Sequence, residues 1–505
     1  MIEPADPRVS DNSVFPNPVY KETVLRPLFD GARTHHVDGF RAIDRAHLVM
    51  LAETGILPRE TASRIARALI AVEKEIEPAA LTYTGEVEDY FFLVEAELRK
   101  RLQPDDNGRL HTGRSRNDID HTLFKLALKP RLDKLAGQLR ALIAAALTLA
   151  EREKATLIVA YTHGQPAQPS TLGHYLSAAI EVMLRDHRRL MQARELLDLC
   201  PLGAAAITTS GFPLDRHRTA HLLGFEAPLR NSYGCIAAVD YTTAVFSAIE
   251  LVFLHLGRLI QDLQFWTAFE VGQIYVPNAF VQISSIMPQK RNPVPIEHLR
   301  HLASQTMSRA RMVRDIVHNT PFTDMNDSEG ETQDAGYQTF ESGGRVLDLL
   351  AALLPALSVD SRRVAETIRR SCITVTELAD TLVRQEGLSF RAAHEIAAAV
   401  ARAVVAKDGD LPRDGYAPFA AAFRHAAGRE PQLSREDFAT AVSPENFVAL
   451  RERFGGPGPT ALGEALAAYR GELTAAEDAA AATAKREDAA RRELDAAFTA
   501  LAGAA

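Results

Sequence analysis

Apolar residues return every three or four positions along most of the chain, and that spacing predicts helices. From about His36 to Ile76 the pattern is steady, and after the acidic residues Glu86, Glu88 and Asp89 it resumes over Tyr90 to Leu102. A helical first unit follows. Beyond a polar stretch, Leu128, Leu132, Leu135, Leu139, Leu142, Ala146 and Leu149 alternate spacings of four and three, the seam of a long helix packed in a bundle, with Pro130 predicting a kink near its start. Further long helices are expected over Thr171 to Leu199 and Val239 to Phe269, the second apolar nearly all round and so the most buried. After about Val359 the helices shorten, with Ser389 placed as an N-cap before Phe390 to Ala406. Gly455 to Pro459 punctuates two helices, and Gly471 to Ala500 is a proline-free run rich in Ala, Glu and Arg, a surface helix or subunit contact. No strand–helix–strand alternation and no glycine-rich phosphate loop occurs. The expectation is an all-α protein of three helical domains, 1–115, 116–365 and 366–505, the middle one a bundle of long helices.

Composition narrows the function classes. The 505 residues carry 57 Lys+Arg against 65 Asp+Glu, a net charge of −8, so no basic excess exists to coat a nucleic-acid backbone. Three cysteines, Cys200, Cys235 and Cys372, lack C-x-x-C spacing and suit a reducing cytoplasm. Met1 to Val14 shows no basic region followed by an apolar core, so no secretory signal is expected. The most apolar run, Tyr241 to Ile260, contains Glu250, His255 and Arg258 and reads as a buried helix, not a membrane span.

Three polar stretches interrupt the long helices. The first, His111 to Asp118, holds Arg114, Ser115, Arg116 and Asn117, donors suited to a carboxylate, although Arg and Asp so close can equally pair with each other. The second, Tyr161 to Pro169, sets Thr162 and His163 on a turn beside the next helix, where a histidine can shuttle a proton or simply pack. The third, Ser284 to Pro293, reads as a loop that closes over a ligand, or as a plain basic turn. No G-x-S-x-G occurs, so acyl transfer is not indicated. The close histidine pairs, His35 with His36 and His298 with His301, bring no carboxylates at zinc spacing, and no required metal is expected.

Taken in order, HTGRSRND, YTHGQPAQP and SSIMPQKRNP resemble the argininosuccinate lyase branch of the fumarase/aspartase superfamily, as do PLGAAAITTSGFPLDR and TELADTLVRQEGLSFRAAHE. The resemblance implies a homotetramer around a core of roughly twenty helices, each active site built from the three stretches on three subunits. It implies elimination of fumarate from a succinyl compound without a cofactor. Carried over position by position, it makes Ser284 the base that removes the Cβ proton, with Ser285 the runner-up. Lys290 and loop amides would stabilise the serine alkoxide, while Lys290 and Asn292 hold a substrate carboxylate and Met287 lines the same loop. Ser115, Arg116, Asn117 and Thr162 would grip the fumaryl carboxylates, Arg114 less directly, and His163 would stand near the leaving side.

Departures from the branch concern the amine. Its run Thr-Tyr-Asn-Arg-Asp-Leu-Gln-Glu-Asp-Lys is met here by Pro321 to Gly330, with Phe322, Asp327 and Gly330 read in place of the Tyr, Gln and Lys that hold arginine. The early serine becomes Asp44, the usual Leu-Gln-Arg becomes Gly164, Gln165 and Pro166, and an N-terminal Trp-Gly-Gly-Arg-Phe signature is missing. The combination resembles the ethylenediamine-N,N'-disuccinate (EDDS) lyases, which remove fumarate from aminopolycarboxylates. The reading expects such a substrate, with Arg33, His35 and His36 as candidates for its second pair of carboxylates. An argininosuccinate lyase with an unusual pocket and a catalytically silent structural homologue are the alternatives.

Overall fold

The computed structural model describes residues 15–503; Met1 to Val14, read above for a secretory signal, lies outside the described residues. The chain is built of helices, with four two-stranded ladders as its only sheets among the described residues. The first unit holds α1 (Arg26–His35), α2 (Val37–Glu53), α3 (Arg59–Glu75) and α4 (Tyr90–Arg99). Then comes α5 (Arg116–Arg152), whose expected seam is in place: Leu128, Leu132, Leu135, Leu139, Leu142, Ala146 and Leu149 are all buried. Pro130 sits inside this helix without interrupting it.

A hairpin of β1 (Leu157–Thr162) and β2 (Gln165–Thr171) leads into α6 (Leu172–Leu197), and α7 (Asp240–Thr267) follows. A small ladder of β3 (Gln282–Ile283) and β4 (Arg291–Asn292) precedes α8 (Val294–Ile316) and α9 (Gly330–Leu353). Helix α5 packs on α6 and α9, α7 on α6 and α8, and α8 on α9, so the five long helices form one bundle. Helix α7 is long and apolar enough to cross a membrane by composition, with mean hydropathy 1.6, but its apolar window is 50% buried inside this protein. The expectation of an entirely buried helix therefore holds for one face only. Leu251 and Leu254 on the other face stay exposed.

The C-terminal portion contains α10 (Ser361–Ser371), α11 (Val375–Glu386), α12 (Phe390–Val405), α13 (Tyr416–Ala427), α14 (Arg435–Ala441) and the 44-residue α15 (Pro459–Ala502). Ser389 caps α12 as expected, its side chain accepting from the Ala392 amide. A separate small core joins Leu378, Leu382, Ile396, Val400, Phe419, Phe423 and Phe438. Helix α15 does not join it. Its Leu462, Leu466, Leu473, Leu494, Phe498 and Leu501 lie in the main core, packed on α2, α3, α5 and α6. The expected 366–505 unit is thus two bodies, because the apolar stripe of α15 matches the outside of the bundle and not the small core. That main core also runs unbroken across the 115/116 boundary.

Buried charges lock α15 down. Lys129 Nζ lies 2.8 Å from Asp198 and 2.7 Å from Glu487, and Arg194 reaches Asp133, Asp198 and Glu487 at 2.9, 3.0 and 2.6 Å. Pairs this buried stabilise only when complete, and removing one partner costs about 3–5 kcal/mol.

Candidate active site

The first polar stretch is clamped where α5 begins. Ser115 is the N-cap, and the carboxylate of Asp118 accepts the Ser115 amide at 2.9 Å. The other oxygen of Asp118 accepts the amides of Gly203 and Ala205 at 2.7 and 2.9 Å, while Asn117 Nδ2 donates to the Ala206 carbonyl at 3.2 Å. Burial pushes the Asp118 carboxyl up to about 6 despite those three amides. Asp118 therefore ties the start of α5 to segment 201–216, where Ala205 and Thr209 hold positive φ of 52° and 65°. Such backbone persists when its surroundings dictate it, often beside functional sites. Sequence spacing offered Asp118 only as a partner for the neighbouring arginines, and it carries no signal for a contact with Gly203 and Ala205 so distant in the chain.

Arg114 and Arg116 divide the work. The Arg114 guanidinium is fully buried, 2.7 Å from Asp44, whose carboxyl is raised by burial against the pull of that cation. Asp44 thus serves as the partner of Arg114, and Arg114 does not reach an open surface. Arg116 is half-buried, 3.2 Å from Glu88 and 2.8 Å from Asp89, with Asp120 at 3.8 Å and the ring of Phe92 beneath it. Arg116 is ion-paired, but with Glu88 and Asp89 of another segment and not with Asp118 of its own stretch, whose carboxylate accepts backbone amides.

The second stretch is a β-hairpin, with the expected turn at its tip. Thr162 pairs with Gln165, and the two-residue tip is His163 and Gly164 at φ 55° and 73°. Positive φ at both tip residues suits the twist of two antiparallel strands, and Gly164 supplies one of them without strain. The base is rigid: Val159 packs with Val364, Ile368 and Ile373, and Tyr161 meets Phe265 edge-on at 5.2 Å. Thr162 and His163 at the tip are exposed.

The third stretch is also a projecting loop. Arg291 anchors its base, donating to the Val276 carbonyl at 2.8 Å and Asn278 at 2.9 Å. Ser284 Oγ accepts the Met287 amide at 3.2 Å, and the Lys290 amide donates to the Met287 carbonyl at 3.0 Å. Ser285, Met287 and Lys290 are exposed and Asn292 half-buried. Ile283 and Ile286 are 79% and 83% exposed, apolar surface that calls for a cover.

These stretches stand at opposite ends of the molecule. The first begins α5 and the second follows its last turn; 37 residues at 1.5 Å each separate them by about 55 Å. The third is rooted with the second, since Gln273 bonds both backbone groups of Val159 at 3.1 and 3.3 Å. No hydrogen bond or ion pair among the described residues joins the first stretch to either of the others.

Carboxylates surround the first stretch. Asp324 and Glu329, in the run after α8, face Arg116 together with Asp89 and Asp120. Burial raises the carboxyl pKa of all four, and repulsion from neighbouring carboxylates adds to it at Asp89, Asp120 and Glu329. His121 is buried, with Nδ1 3.1 Å from the Tyr241 hydroxyl, and burial lowers its pKa to about 4, so it is neutral. In the same run Phe322 is 68% exposed and stacks on Tyr233, and Asp327 is exposed. Within this run Asp324 and Glu329 are the residues turned toward Arg116, while Phe322 and Asp327 lie open on the surface of the single chain. Hydrophobic spacing could not have shown this, because a loop's inward positions follow no period.

The candidates for a second carboxylate pair are occupied elsewhere. Arg33 donates to the Leu81 carbonyl and pairs with Asp30. His36 is buried against the Tyr337 hydroxyl at 2.9 Å, and burial lowers its pKa to about 3; His35 contacts Arg131 at 3.0 Å. Among the described residues no cluster of three or more His, Cys, Asp or Glu is arranged to hold a metal ion.

Comparison with known proteins fits these motifs. A family model described as Lyase matches residues 35–308, and one described as Argininosuccinate lyase C-terminal matches residues 372–449. The chain is 68% identical over 499 residues to argininosuccinate lyase 2 of Agrobacterium fabrum, covering 99% of each. It is 32% identical over 433 residues to argininosuccinate lyase of Methanocaldococcus jannaschii, covering 85% and 87%. Among solved structures, an EDDS lyase variant with bound fumarate superposes with a TM-score of 0.84 at 27% identity, covering 95% of each chain. A class II fumarase from Schistosoma mansoni shares the fold, with a TM-score of 0.64 at 16% identity over 83% of this chain and 91% of its own.

Proposed function

The chain belongs to the argininosuccinate lyase branch of the fumarase/aspartase superfamily, which makes it a carbon–nitrogen lyase, and we propose that it releases fumarate from argininosuccinate. The observation that carries this reading is 68% identity along 99% of an argininosuccinate lyase, against 27% for EDDS lyase. It displaces the EDDS-like substrate expected from sequence departures alone. Those departures lay largely at Phe322, Asp327 and Gly330, of which the first two are exposed.

In the proposed reaction Ser284 takes a proton from the carbon beside a carboxylate. That proton is barely acidic, so the resulting enediolate needs fixed donors and cations, which Lys290, Asn292, Thr162 and the Ser115–Asn117 stretch supply. The C–N electron pair then leaves with the nitrogen as the carbon–carbon double bond of fumarate forms, and His163 stands at the leaving side. Arg116 can present its fork to a substrate carboxylate only by exchanging Glu88 or Asp89.

We also propose a homotetramer with composite sites, in a cytoplasmic setting that suits three free, buried cysteines. A separation of about 55 Å keeps one chain from assembling a site by itself. Copies packed along the exposed Leu251 and Leu254 face of α7 would bring the hairpin and loop of one subunit to the α5 start of another.

An EDDS-type substrate remains a second reading, favoured by the TM-score of 0.84 over 95% of both chains. Ultraviolet absorbance of fumarate separates the two when purified protein receives each compound, with Ser284→Ala as control. Turnover of argininosuccinate that the variant loses is the expected result. Turnover of EDDS alone would overturn it.

A further inference from the structure

Helix α15 is seated on the bundle at both ends and bridges a gap between them. Its buried side chains stop at Leu473 and resume at Ala490, and the stretch between, 474–489, spans about 24 Å at 1.5 Å per residue. Beneath it lies a cavity of about 1050 Å³, walled by Ala475, Ala476, Ala479 and Ala480 of α15 and by Leu184 and Met191 of α6. That is the size of a small-molecule site. Two polar groups line it without a counterpart. The half-buried Arg140 of α5 donates Nη1 to His187 Nε2 at 3.1 Å, and no carboxylate pairs with its guanidinium among the described residues. Glu477 and Asp133 act on it only from a distance, and Asp133 is already held by Arg194 at 2.9 and 3.1 Å. His187 is 4% exposed, and burial lowers its pKa to about 4, so the ring is neutral. Because Nε2 accepts from Arg140, Nδ1 carries the ring hydrogen, and it has no acceptor among the described residues. Buried donors are normally paired, so these two call for an anion. The opposite end of the cavity is already neutralised. There Arg194, Lys129 and Arg486 share Asp198, and Glu195 and Glu226 are bonded to the Asp198 backbone.

We propose that this cavity binds a fatty acid, its carboxylate on Arg140 and His187 and its chain laid along the alanine face of α15. A guanidinium presents a fork of donors that matches a carboxylate, and the His187 Nδ1 hydrogen adds one more. The long gap beneath α15 suits a chain, and Met191 adapts its unbranched side chain to one. Charge sets the direction, because the carboxylates at the Arg194 end would repel the head group. An amine on the same chain would set its ammonium against Arg140, and fumarate brings no apolar body to cover the alanines. The cavity is separate from the candidate active site: residues 116 and 140 of one helix stand about 36 Å apart at 1.5 Å per residue. It also lies away from the exposed face of α7, since α15 packs on α2, α3, α5 and α6. The proposal is therefore independent of the lyase reading.

Titration calorimetry on the full chain with decanoate, kept below the concentration at which it forms micelles, tests this, with decanol as the uncharged equivalent. Wild type should bind decanoate saturably, one per chain, and decanol roughly tenfold more weakly or worse, the effect of one charged hydrogen bond. Arg140→Met should bring decanoate down to the affinity of decanol and leave decanol unchanged. Ala479→Phe, which fills the cavity from the α15 side, should weaken both ligands. Saturating fumarate should leave decanoate binding as it was. No saturable binding by wild type, equal affinity for decanoate and decanol, displacement by fumarate, or full decanoate binding by Arg140→Met overturns the proposal. If circular dichroism shows that Arg140→Met does not fold, Ala479→Phe decides: weakened decanoate binding supports the proposal and unchanged binding overturns it.

Discussion

The two ends of the long-helix bundle are built on opposite plans. At the α5 start, Asp118, Asn117 and the Arg114–Asp44 pair knit motif residues into a buried network that reaches from segment 201–216 to helix α2. At the far end, His163 tops an exposed hairpin and the half-buried Ser284 opens an exposed loop, each firm at its base. A binding surface has to hold its shape before the substrate arrives; groups that complete a site on another copy have to protrude. The contrast is the one that the proposed composite site requires, with a preformed half at the α5 start and a projecting half at the far end.

That division yields predictions in order of size. Replacing Ser284 by Ala should cut kcat by roughly 10²–10⁴-fold, the usual worth of a general base, while thermal unfolding stays unchanged because the hydroxyl only receives an amide within its own exposed loop. Arg114→Ala should do the reverse, lowering stability by about 3–5 kcal/mol in denaturant titration by leaving Asp44 buried without its cation. An Arg114 variant of wild-type stability would make the α5 end no firmer than the far one. The smallest effect is a pH dependence of the amine half. Asp89, Asp120, Asp324 and Glu329 all have raised pKa values, so they take up protons at higher pH than ordinary carboxylates. As pH falls from neutral, negative charge is lost from the α5 end and KM for a cationic amine should rise, with KM for fumarate rising less. A KM for the amine that is flat from neutral into the mildly acidic range would contradict this.

Long helices were legible because a seam such as Leu128 to Leu149 repeats many times over and one buried face dictates it. The His163–Gly164 hairpin was harder. Its strands contain Pro166 and Pro169, which spoil the strand pattern, and only the His-Gly pair between them hints at a turn with two positive φ values. Helix α15 was legible as a helix but not as a neighbour of α5, since its Ala-rich sequence gives no hint that Glu487 meets Lys129 and Arg194. The motif residues were visible from resemblance. Which of them are buried was not: Arg114 and Arg116 sit two positions apart, yet Asp44 takes one inward while Glu88 and Asp89 hold the other at the surface.

The most direct test is subunit complementation. Ser284→Ala disables the loop end and Arg116→Ala the α5 end, so each variant alone should be nearly inactive. Mixed under conditions that exchange subunits, they should regain a substantial fraction of wild-type fumarate release, because some hybrid sites draw both ends from unaltered copies. A mixture no more active than its components would contradict a site shared between chains.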